Sequence, residues 1–361
     1  METIYINGVS MPVSRVGLGT WAIGGWMWGG TNTWEAVRTI QSAVDQGINL
    51  IDTAPVYGFG RSEELVGQAL APQGRRNRAV IATKVGVEWI NGKIYRNSSP
   101  QRVRYELENS LRRLRTDFID LYQVHWPDAS VPIEETAQVM GKLLKEGKIR
   151  AIGLSNYSVA QISRFRAVAP VHAIQPPLNL FERAAQTTVI PYARALGLTV
   201  LAYGSLCRGL LTGAVTNTTK FPADDLRSVD PKFQSPRREQ YLAAVEQLQE
   251  LARERYGRSV LALAARWVID SGSNMIALWG ARRAEQLAPV TDVMGWHIDA
   301  DTMKEIDRIL EATVRDPVGP EFMAPTEIPA ERPSQNGQAA RVTAAAQGQG
   351  QYSTSTGELK V

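Results

Sequence analysis

The chain has 361 residues, of which 44% are hydrophobic and 21% are charged, and its formal net charge is +4. This composition excludes a wholly disordered chain, a collagen and a coiled coil, and the length allows one large domain or two smaller ones. Its single cysteine, Cys207, excludes an intramolecular disulfide and a cluster of thiolate metal ligands.

The N-terminus and the charge pattern predict a cytoplasmic protein. The chain begins Met-Glu-Thr-Ile-Tyr, without the basic start and apolar run of a secretory signal. We find no stretch near the roughly 20 apolar residues that a membrane span needs. Arginines alternate with carboxylates and form no basic–aromatic stripe, so we expect no nucleic-acid partner. The positive balance suits an anionic small ligand, such as a phosphorylated cofactor.

The predicted elements begin with a β-hairpin, made of residues 3–6, an Asn7-Gly8 turn and a second short run. Short apolar, β-branched runs then predict strands at residues 16–19, 49–52, 79–83, 119–125, 151–155, 173–175, 198–203 and 275–278. Amphipathic segments predict helices at residues 33–45, 62–71, 100–114, 133–146, 159–169, 185–196, 241–256 and 259–270.

This repeated alternation predicts an α/β fold, a (β/α)₈ TIM barrel over residues 1–332 with the hairpin at its N-terminus. A doubly wound dinucleotide-binding sheet would carry a Gly-x-Gly-x-x-Gly turn after its first strand. Here Gly17 and Gly19 lack a third glycine at that spacing, and the chain continues into further glycine and tryptophan instead of a helix. The pattern therefore favours the barrel.

Two segments depart from the alternation of strands and helices. Residues 213–240 form a long polar connection, and loops of that length in a compact domain are commonly functional lids or mobile segments. Residues 333–361 are rich in Gln, Ala, Gly, Ser and Thr and have almost nothing large and apolar, so we predict a disordered tail.

Polar side chains end several of the predicted strands. In a barrel of this class the active site lies at the C-terminal ends of the strands. The strand ends carry Asp52, Lys84, His125, Ser155-Asn156 and Gln175. We therefore expect these side chains to meet at one rim.

Three of these residue types, with a nearby tyrosine, suggest acid–base chemistry. A buried lysine needs a counter-charge, and Asp52 on the neighbouring strand can supply it to Lys84. A lysine cation near a phenol lowers the tyrosine pKa from about 10, so Tyr57 could donate a proton at neutral pH. Each residue alone, His125 included, has an ordinary structural explanation, whereas together at one rim they favour catalysis.

Several segments resemble the aldo-keto reductase superfamily, and the resemblance spans about residues 12–325. It is carried by residues 49–58 with Ser62-Glu63, by Thr83-Lys84 and by residues 124–127. Within the superfamily, residues 19–26, 206–211 and 319–325 are most similar to bacterial aldehyde reductases, including the glyceraldehyde reductases of acetic acid bacteria.

The resemblance implies hydride transfer between a nicotinamide cofactor and an aldehyde or ketone, with polyol oxidation as the reverse reaction. Tyr57 would be the general acid, Lys84 would tune its pKa, and Asp52 would hold Lys84. His125 would orient the carbonyl. The protein would supply placement and stabilisation of the forming alkoxide.

The resemblance also implies a cofactor site. Its residues would be Gly19, Thr20, Trp21, Asp52, Ser155, Asn156, Gln175, Tyr203, Gly204, Ser205, Leu206, Arg208, Gly209, Gly280, Ala281, Arg282 and Gln286. Arg282 favours NADPH because a guanidinium binds a 2′-phosphate with fixed charge and fork geometry. The adjacent Arg283 has no distinct role by this argument, and use of NADH stays open.

Tryptophans of the rim loops predict an apolar, narrow substrate pocket for small carbonyl compounds or polyols. Trp21, Trp26 and Trp126 are the candidates, and Trp28 and Trp89 are equally well explained by packing. Such walls suit aldehydes like glyceraldehyde or methylglyoxal. Cys207 lacks a visible histidine–carboxylate pair, so we do not expect it to act as a nucleophile.

Two functions other than a reductase are possible for a barrel of this kind. Proteins with this fold also serve as cofactor-binding regulatory subunits, in which turnover is incidental, but no partner-binding surface is evident in the sequence. A metal-dependent barrel hydrolase is disfavoured, because the chain has three histidines and no His-x-His pair ends a strand. We therefore predict no metal site.

Overall fold

The computed structural model describes residues 1–327, so the predicted tail at 333–361 lies outside the described residues. The strands are β1 Thr3–Ile4, β2 Val13–Ser14, β3 Val16–Gly19, β4 Leu50–Asp52, β5 Val80–Val85, β6 Val87–Ile90, β7 Lys93–Arg96, β8 Ile119–Val124, β9 Ile149–Ser155, β10 Ala173–Gln175, β11 Thr199–Ala202 and β12 Met275–Gly280. The order β10-β11-β12-β3-β4-β5-β8-β9 closes a barrel, all of whose neighbours are parallel. The predicted (β/α)₈ fold is confirmed.

Helices alternate with the barrel strands, as predicted. They are α1 Trp21–Gly24, α2 Thr33–Asp45, α3 Arg61–Leu70, α4 Pro100–Leu114, α5 Ile133–Lys145, α6 Val159–Arg166, α7 Val189–Ala195, α8 Arg237–Tyr256, α9 Val260–Asp270 and α10 Ala300–Thr313. Short 3₁₀ helices occupy Pro72–Arg78, Ala184–Gln186, Cys207–Thr212, Leu226–Ser228, Pro231–Phe233, Ala284–Val293 and Glu321–Met323. None of the helices in residues 1–327 has the length and apolar character to cross a bilayer.

The core has two layers, because alternate strand residues point into and out of the barrel. Leu50, Leu121, Leu201 and Ile276 belong to the cluster that fills the barrel interior. A larger cluster packs the outer faces of the strands against the apolar stripes of the helices. This double packing holds the strand ends, and the side chains they carry, in fixed positions.

The N-terminal hairpin is confirmed, and its strands are short. Thr3 pairs with Ser14 and Ile4 with Val13, and the predicted Asn7-Gly8 turn lies between them. Ile6, Val9 and Val13 are buried with the barrel interior, so the hairpin packs against it. A Cβ at Gly8, where φ is +89°, would lie 2.4 Å from the backbone oxygen of Arg150. The turn therefore requires a glycine.

Some elements were missed by the sequence analysis. The hairpin of β6 and β7 follows directly on β5, and α10 follows the last barrel strand. The polar connection at 213–240 is shorter than predicted, because α8 begins at Arg237. A single helical turn, α1, lies where the sequence indicated no helix, and it is only four residues long.

Candidate active site

A cavity of about 420 Å³ opens at the C-terminal ends of β3, β4, β11 and β12. Many of the predicted site residues line it: Gly19, Thr20, Trp21, Asp52, Tyr57, Tyr203, Gly204, Ser205, Leu206, Arg208, Gly209, Gly280, Ala281, Arg282 and Gln286. Within residues 1–327, no group of three or more histidine, cysteine or carboxylate side chains is placed to hold a metal ion.

Lys84, Asp52 and Tyr57 meet beside this cavity. The fully buried Lys84 Nζ donates hydrogen bonds to Asp52 Oδ1 at 2.6 Å, to the Thr53 backbone oxygen at 2.9 Å and to Tyr57 Oη at 3.4 Å. An ammonium has three N–H groups, so all of them are engaged. One cation thus bridges a carboxylate and a phenol, in the arrangement predicted from the strand ends.

Tight backbone packing fixes the loop that carries Tyr57. Gly58 has a φ of +67°, and a Cβ there would lie 2.2 Å from the backbone oxygen of Gly24. A Cβ at Gly24 would in turn lie 2.7 Å from the Tyr57 backbone. The loops after β3 and β4 can approach this closely only because both positions are glycine.

The electrostatics correct one sequence-based expectation. Burial raises the pKa of Tyr57 well above its usual value of 10.0, and the charge of Asp52 adds to the rise. The net shift of the Tyr57 pKa is therefore opposite to the lowering expected from the sequence, because burial penalises the phenolate more than the neighbouring charges stabilise it. Burial also lowers the pKa of Lys84, an effect that Asp52 opposes. The phenol is consequently protonated at neutral pH.

His125 lies across from the phenol. The ring centroids of His125 and Tyr57 are 5.9 Å apart, with an interplanar angle of 82°. Burial, and next the nearby charge of Lys84, lower the pKa of His125 well below 6.5. The imidazole is therefore neutral at pH 7 and can donate one hydrogen bond without bringing a charge.

Aromatic rings form the walls near the phenol. Trp21 stacks on Tyr57 at 5.9 Å, and Trp28 meets Trp21 edge-on at 5.6 Å. Trp126 packs with Tyr57 in a small apolar cluster. Trp26 differs from the prediction: it lines a separate groove, because positive φ angles at Gly25 and Met27 turn the loop there. Trp28, and not Trp26, lines the same cavity as Trp21.

The next strand ends carry an amide and hydroxyl cluster. Ser155 Oγ donates to the backbone oxygen of Gln175 at 2.9 Å, and Gln175 Nε2 donates to Asp52 Oδ2 at 2.8 Å. Asn156, at a φ of +61°, accepts a hydrogen bond from Tyr203 Oη at 2.9 Å. These predicted residues are therefore hydrogen-bonded to one another and, through Asp52, to Lys84.

Arg208 is anchored within the protein. Its guanidinium donates to Glu182 Oε1 at 2.6 Å and to Asp230 Oδ2 at 2.5 Å, and Lys232 Nζ lies 2.8 Å from the same Glu182 oxygen. All four side chains are buried. Arg208 thus lines the cavity, while its charge is balanced by two carboxylates that brace the loop after β11.

At the other end of the cavity, Arg282 and Arg283 form no ion pair with a carboxylate of residues 1–327. Arg282 Nη2 donates to the Gly30 backbone oxygen at 2.8 Å, and Gln286 Oε1 accepts from the backbone N–H groups of Arg282 and Arg283. Cavity-lining residues that the sequence analysis did not assign to the site are Ala22, Trp28, Thr31, Asn32, Glu35, Thr212, Arg227, Leu278, Arg283 and Met323. Trp28, Thr31, Asn32 and Arg283 lie in loops that follow barrel strands, which is the signal that could have found them.

Comparison with known proteins gives consistent results. The Aldo/keto reductase family matches residues 15–311. The chain is 56% identical over 325 residues to aldo-keto reductase YhdN of Bacillus subtilis, covering 90% of this chain and 98% of that protein. It is 35% identical to the NADH-specific methylglyoxal reductase of Escherichia coli, covering 86% of this chain and 100% of that protein.

Solved structures agree with the sequence comparisons. The glycerol dehydrogenase of Gluconobacter oxydans matches with a TM-score of 0.82 and 55% identity, covering 89% of this chain and 99% of that one. An aldo/keto reductase of Klebsiella pneumoniae in complex with NADP and acetate matches with a TM-score of 0.66 and 27% identity, covering 85% and 94% respectively.

Proposed function

Because the chain belongs to the aldo/keto reductase family and is an NAD(P)H-dependent enzyme, we propose that it reduces small aldehydes and ketones to alcohols with NADPH and oxidises polyols in reverse. Tyr57 is the proton donor of this reaction. The observation that carries the proposal is the buried Lys84 ammonium, which bonds both Asp52 Oδ1 and Tyr57 Oη beside the cavity.

The cavity fits a nicotinamide nucleotide, which supplies the hydride when bound. A Cβ at Gly280 would meet no atom within 4 Å, so open space lies against that backbone. Trp28 Nε1 is buried without a hydrogen-bond partner in residues 1–327, which leaves a donor for a ligand. The cavity-lining residues that would hold the nucleotide are Gly19, Thr20, Trp21, Asp52, Tyr203, Gly204, Ser205, Leu206, Arg208, Gly209, Gly280, Ala281, Arg282 and Gln286. Ser155, Asn156 and Gln175, at the neighbouring strand ends, would complete the site.

The proton comes from the protein. Tyr57 is protonated at neutral pH, so its Oη can give a proton to the carbonyl oxygen as that oxygen gains negative charge. Lys84, hydrogen-bonded to the same Oη, stabilises the phenolate that remains, and Asp52 holds the ammonium in place. His125 orients the carbonyl by donating a hydrogen bond. A neutral imidazole already carries the N–H group for this bond, so His125 does not have to be protonated.

The walls of the cavity support a small substrate. Trp21 stacks on Tyr57 with Trp28 edge-on to Trp21, and Trp126 packs against the same small apolar cluster as Tyr57. Flat apolar walls around one phenol admit an aldehyde with a short chain, such as glyceraldehyde or methylglyoxal. The names of two relatives, a glycerol dehydrogenase and a methylglyoxal reductase, support substrates of this size.

Steady-state turnover tests the function directly. We expect the purified chain to oxidise NADPH in the presence of glyceraldehyde with a kcat of about 1 s⁻¹ or more, which is ordinary for an enzyme. Assays with NADH, with methylglyoxal and with glycerol in the reverse direction map the preference. Tight NADPH binding without multiple turnovers would refute the proposal and favour a cofactor-binding regulatory subunit.

Arg282 gives the NADPH preference a specific test. The guanidinium uses one Nη on the Gly30 oxygen and has further N–H donors for a 2′-phosphate. We expect Arg282→Ala to raise the KM for NADPH about tenfold or more, since a charged hydrogen bond is lost, and to change the KM for NADH less than about twofold. The matched control is Arg253→Ala on α8, an exposed arginine away from the cavity lining. Equal effects on both cofactors would show that Arg282 does not recognise the phosphate.

A further inference from the structure

We propose that Gln123, on β8, is a positioning residue of the reaction: its amide holds the Asp52 carboxylate and the Gln175 amide in the arrangement that serves Lys84. This role rests on the proposed function. Gln123 is fully buried and touches none of the space lined by the cavity residues. It therefore acts through its neighbours and contacts no substrate directly.

The two carboxylate oxygens of Asp52 have different hydrogen-bond partners: one accepts from Lys84 and the other accepts from two glutamine amides. Asp52 Oδ1 accepts from Lys84 Nζ at 2.6 Å. Asp52 Oδ2 accepts from Gln175 Nε2 at 2.8 Å and from Gln123 Nε2 at 3.2 Å. Gln123 Oε1 in turn accepts from Gln175 Nε2 at 3.2 Å. The three side chains form a closed triangle with the carboxylate at one corner.

This triangle fixes the orientation of both amides. An ionised carboxylate only accepts hydrogen bonds, so each amide must present its nitrogen to Asp52. Gln175 Nε2 then donates one N–H group to Asp52 and the other to Gln123. Its carbonyl oxygen Oε1 has no partner among the residues described and remains an acceptor. Without Gln123, one of the two acceptors that hold the Gln175 nitrogen is lost.

The neighbouring strand leaves room for the Gln123 side chain. Gln123 pairs with Gly153 in the register between β8 and β9. A Cβ at Gly153 would lie 2.7 Å from Gln123 Cγ and 3.1 Å from its Oε1. A larger residue at position 153 would therefore displace the Gln123 amide from Asp52.

The contact has an electrostatic consequence at Tyr57. The charge of Asp52 raises the pKa of Tyr57, second to burial, and an N–H group donated to Asp52 Oδ2 offsets part of that charge. Removing Gln123 should therefore raise the phenol pKa further and weaken the acid. Other titratable groups stay in place: Glu63 and His125 face Lys84, and Tyr203 faces Tyr57.

Gln123→Met tests this role, because methionine has a similar length and no amide. We expect the pKa that limits alcohol oxidation to rise by about half a pH unit or more, and kcat at neutral pH to fall about tenfold, while the Kd for NADPH changes less than about threefold. The control is Leu121→Met, on the same strand and in the barrel interior, where the side chain belongs to the apolar cluster. Its pH profile should match that of the wild type.

Gln123→Glu provides a second and more specific readout. A protonated glutamic acid has the shape of glutamine, donates an O–H to Asp52 and accepts from Gln175. Burial and the neighbouring carboxylate raise the pKa of the introduced acid. We therefore expect its activity relative to the wild type to recover as the pH falls, whereas Gln123→Met shows no such recovery. A purely structural role of Gln123 would give a constant deficit in both variants.

The outcomes separate this role from the proposed function. An active wild type whose pH profile coincides with that of Gln123→Met would overturn the role of Gln123 alone, as would the same shift in Leu121→Met. If Gln123→Met fails to fold, the pH dependence of Gln123→Glu decides, and a constant deficit overturns the role. No turnover in the wild type would refute the proposed function itself.

Discussion

Replacing Tyr57 with phenylalanine is expected to lower kcat for aldehyde reduction by about 10²- to 10⁴-fold, the range for loss of a positioned acid. The substitution removes one oxygen from a ring that stacks on Trp21 and meets His125, so the walls of the cavity stay in place. NADPH binding, measured by fluorescence titration, should change by less than about twofold.

Tyr122→Phe is the matched control for this experiment. Tyr122 is also buried, but it packs between the barrel and the helices, where its hydroxyl donates a hydrogen bond to the Val103 backbone oxygen at 3.5 Å. Its loss should leave kcat within about threefold of the wild type. Turnover of Tyr57→Phe close to that of Tyr122→Phe would mean that another group supplies the proton.

Lys84→Met is expected to have the second large effect, on both activity and stability. Without the ammonium, the phenolate formed at Tyr57 loses its stabilising partner, and kcat should fall by about 10²-fold or more. Asp52 would be buried without its cation, which costs about 3–5 kcal/mol in the free energy of unfolding. Urea unfolding monitored by circular dichroism measures this loss.

The buried charge of Asp52 is the origin of this loss, because Lys84→Met removes the cation that neutralises it. Adding Asp52→Asn should restore stability at neutral pH, since no charge remains buried, without restoring kcat.

Lys232→Met is the control that separates the loss of stability in Lys84→Met from its loss of activity. Lys232 is also fully buried and pairs with Glu182 at 2.8 Å, but it makes no contact with Tyr57. We expect a loss of stability similar to that of Lys84→Met, with most of kcat retained. A similar fall of kcat in both variants would mean that Lys84→Met loses activity through unfolding alone.

The sequence was sufficient to predict the barrel and the meeting of Asp52, Tyr57, Lys84 and His125. The alternation of strands and helices determines the fold, and parallel strands bring their C-terminal ends to one rim. Loop elements were harder to predict. The hairpin of β6 and β7 was missed, although its Asn91-Gly92 turn between two short runs with apolar residues is a hairpin signal. Trp26 is turned aside by backbone angles that no periodicity reveals.

Burial was the main property that the sequence could not supply. The direction of the Tyr57 pKa shift depends on how completely water is excluded around the phenol, and this outweighs the nearby cation. The partners of Arg208 come from two other segments, and only the folded chain brings Glu182 and Asp230 to it. Gln123 lies in a strand interior, where a lone amide gives no hint that Asp52 is its neighbour.

The hairpin packed against the barrel interior has a practical consequence for handling this enzyme. Met1 is 44% exposed and lies next to a hairpin that packs with the barrel interior, whereas the cavity opens at the C-terminal strand ends. Attachment of the protein to an electrode or resin through its first residue should therefore leave the opening of the cavity exposed to the solution. Anchoring through the loops after β11 would instead place the support across the path of the reactants.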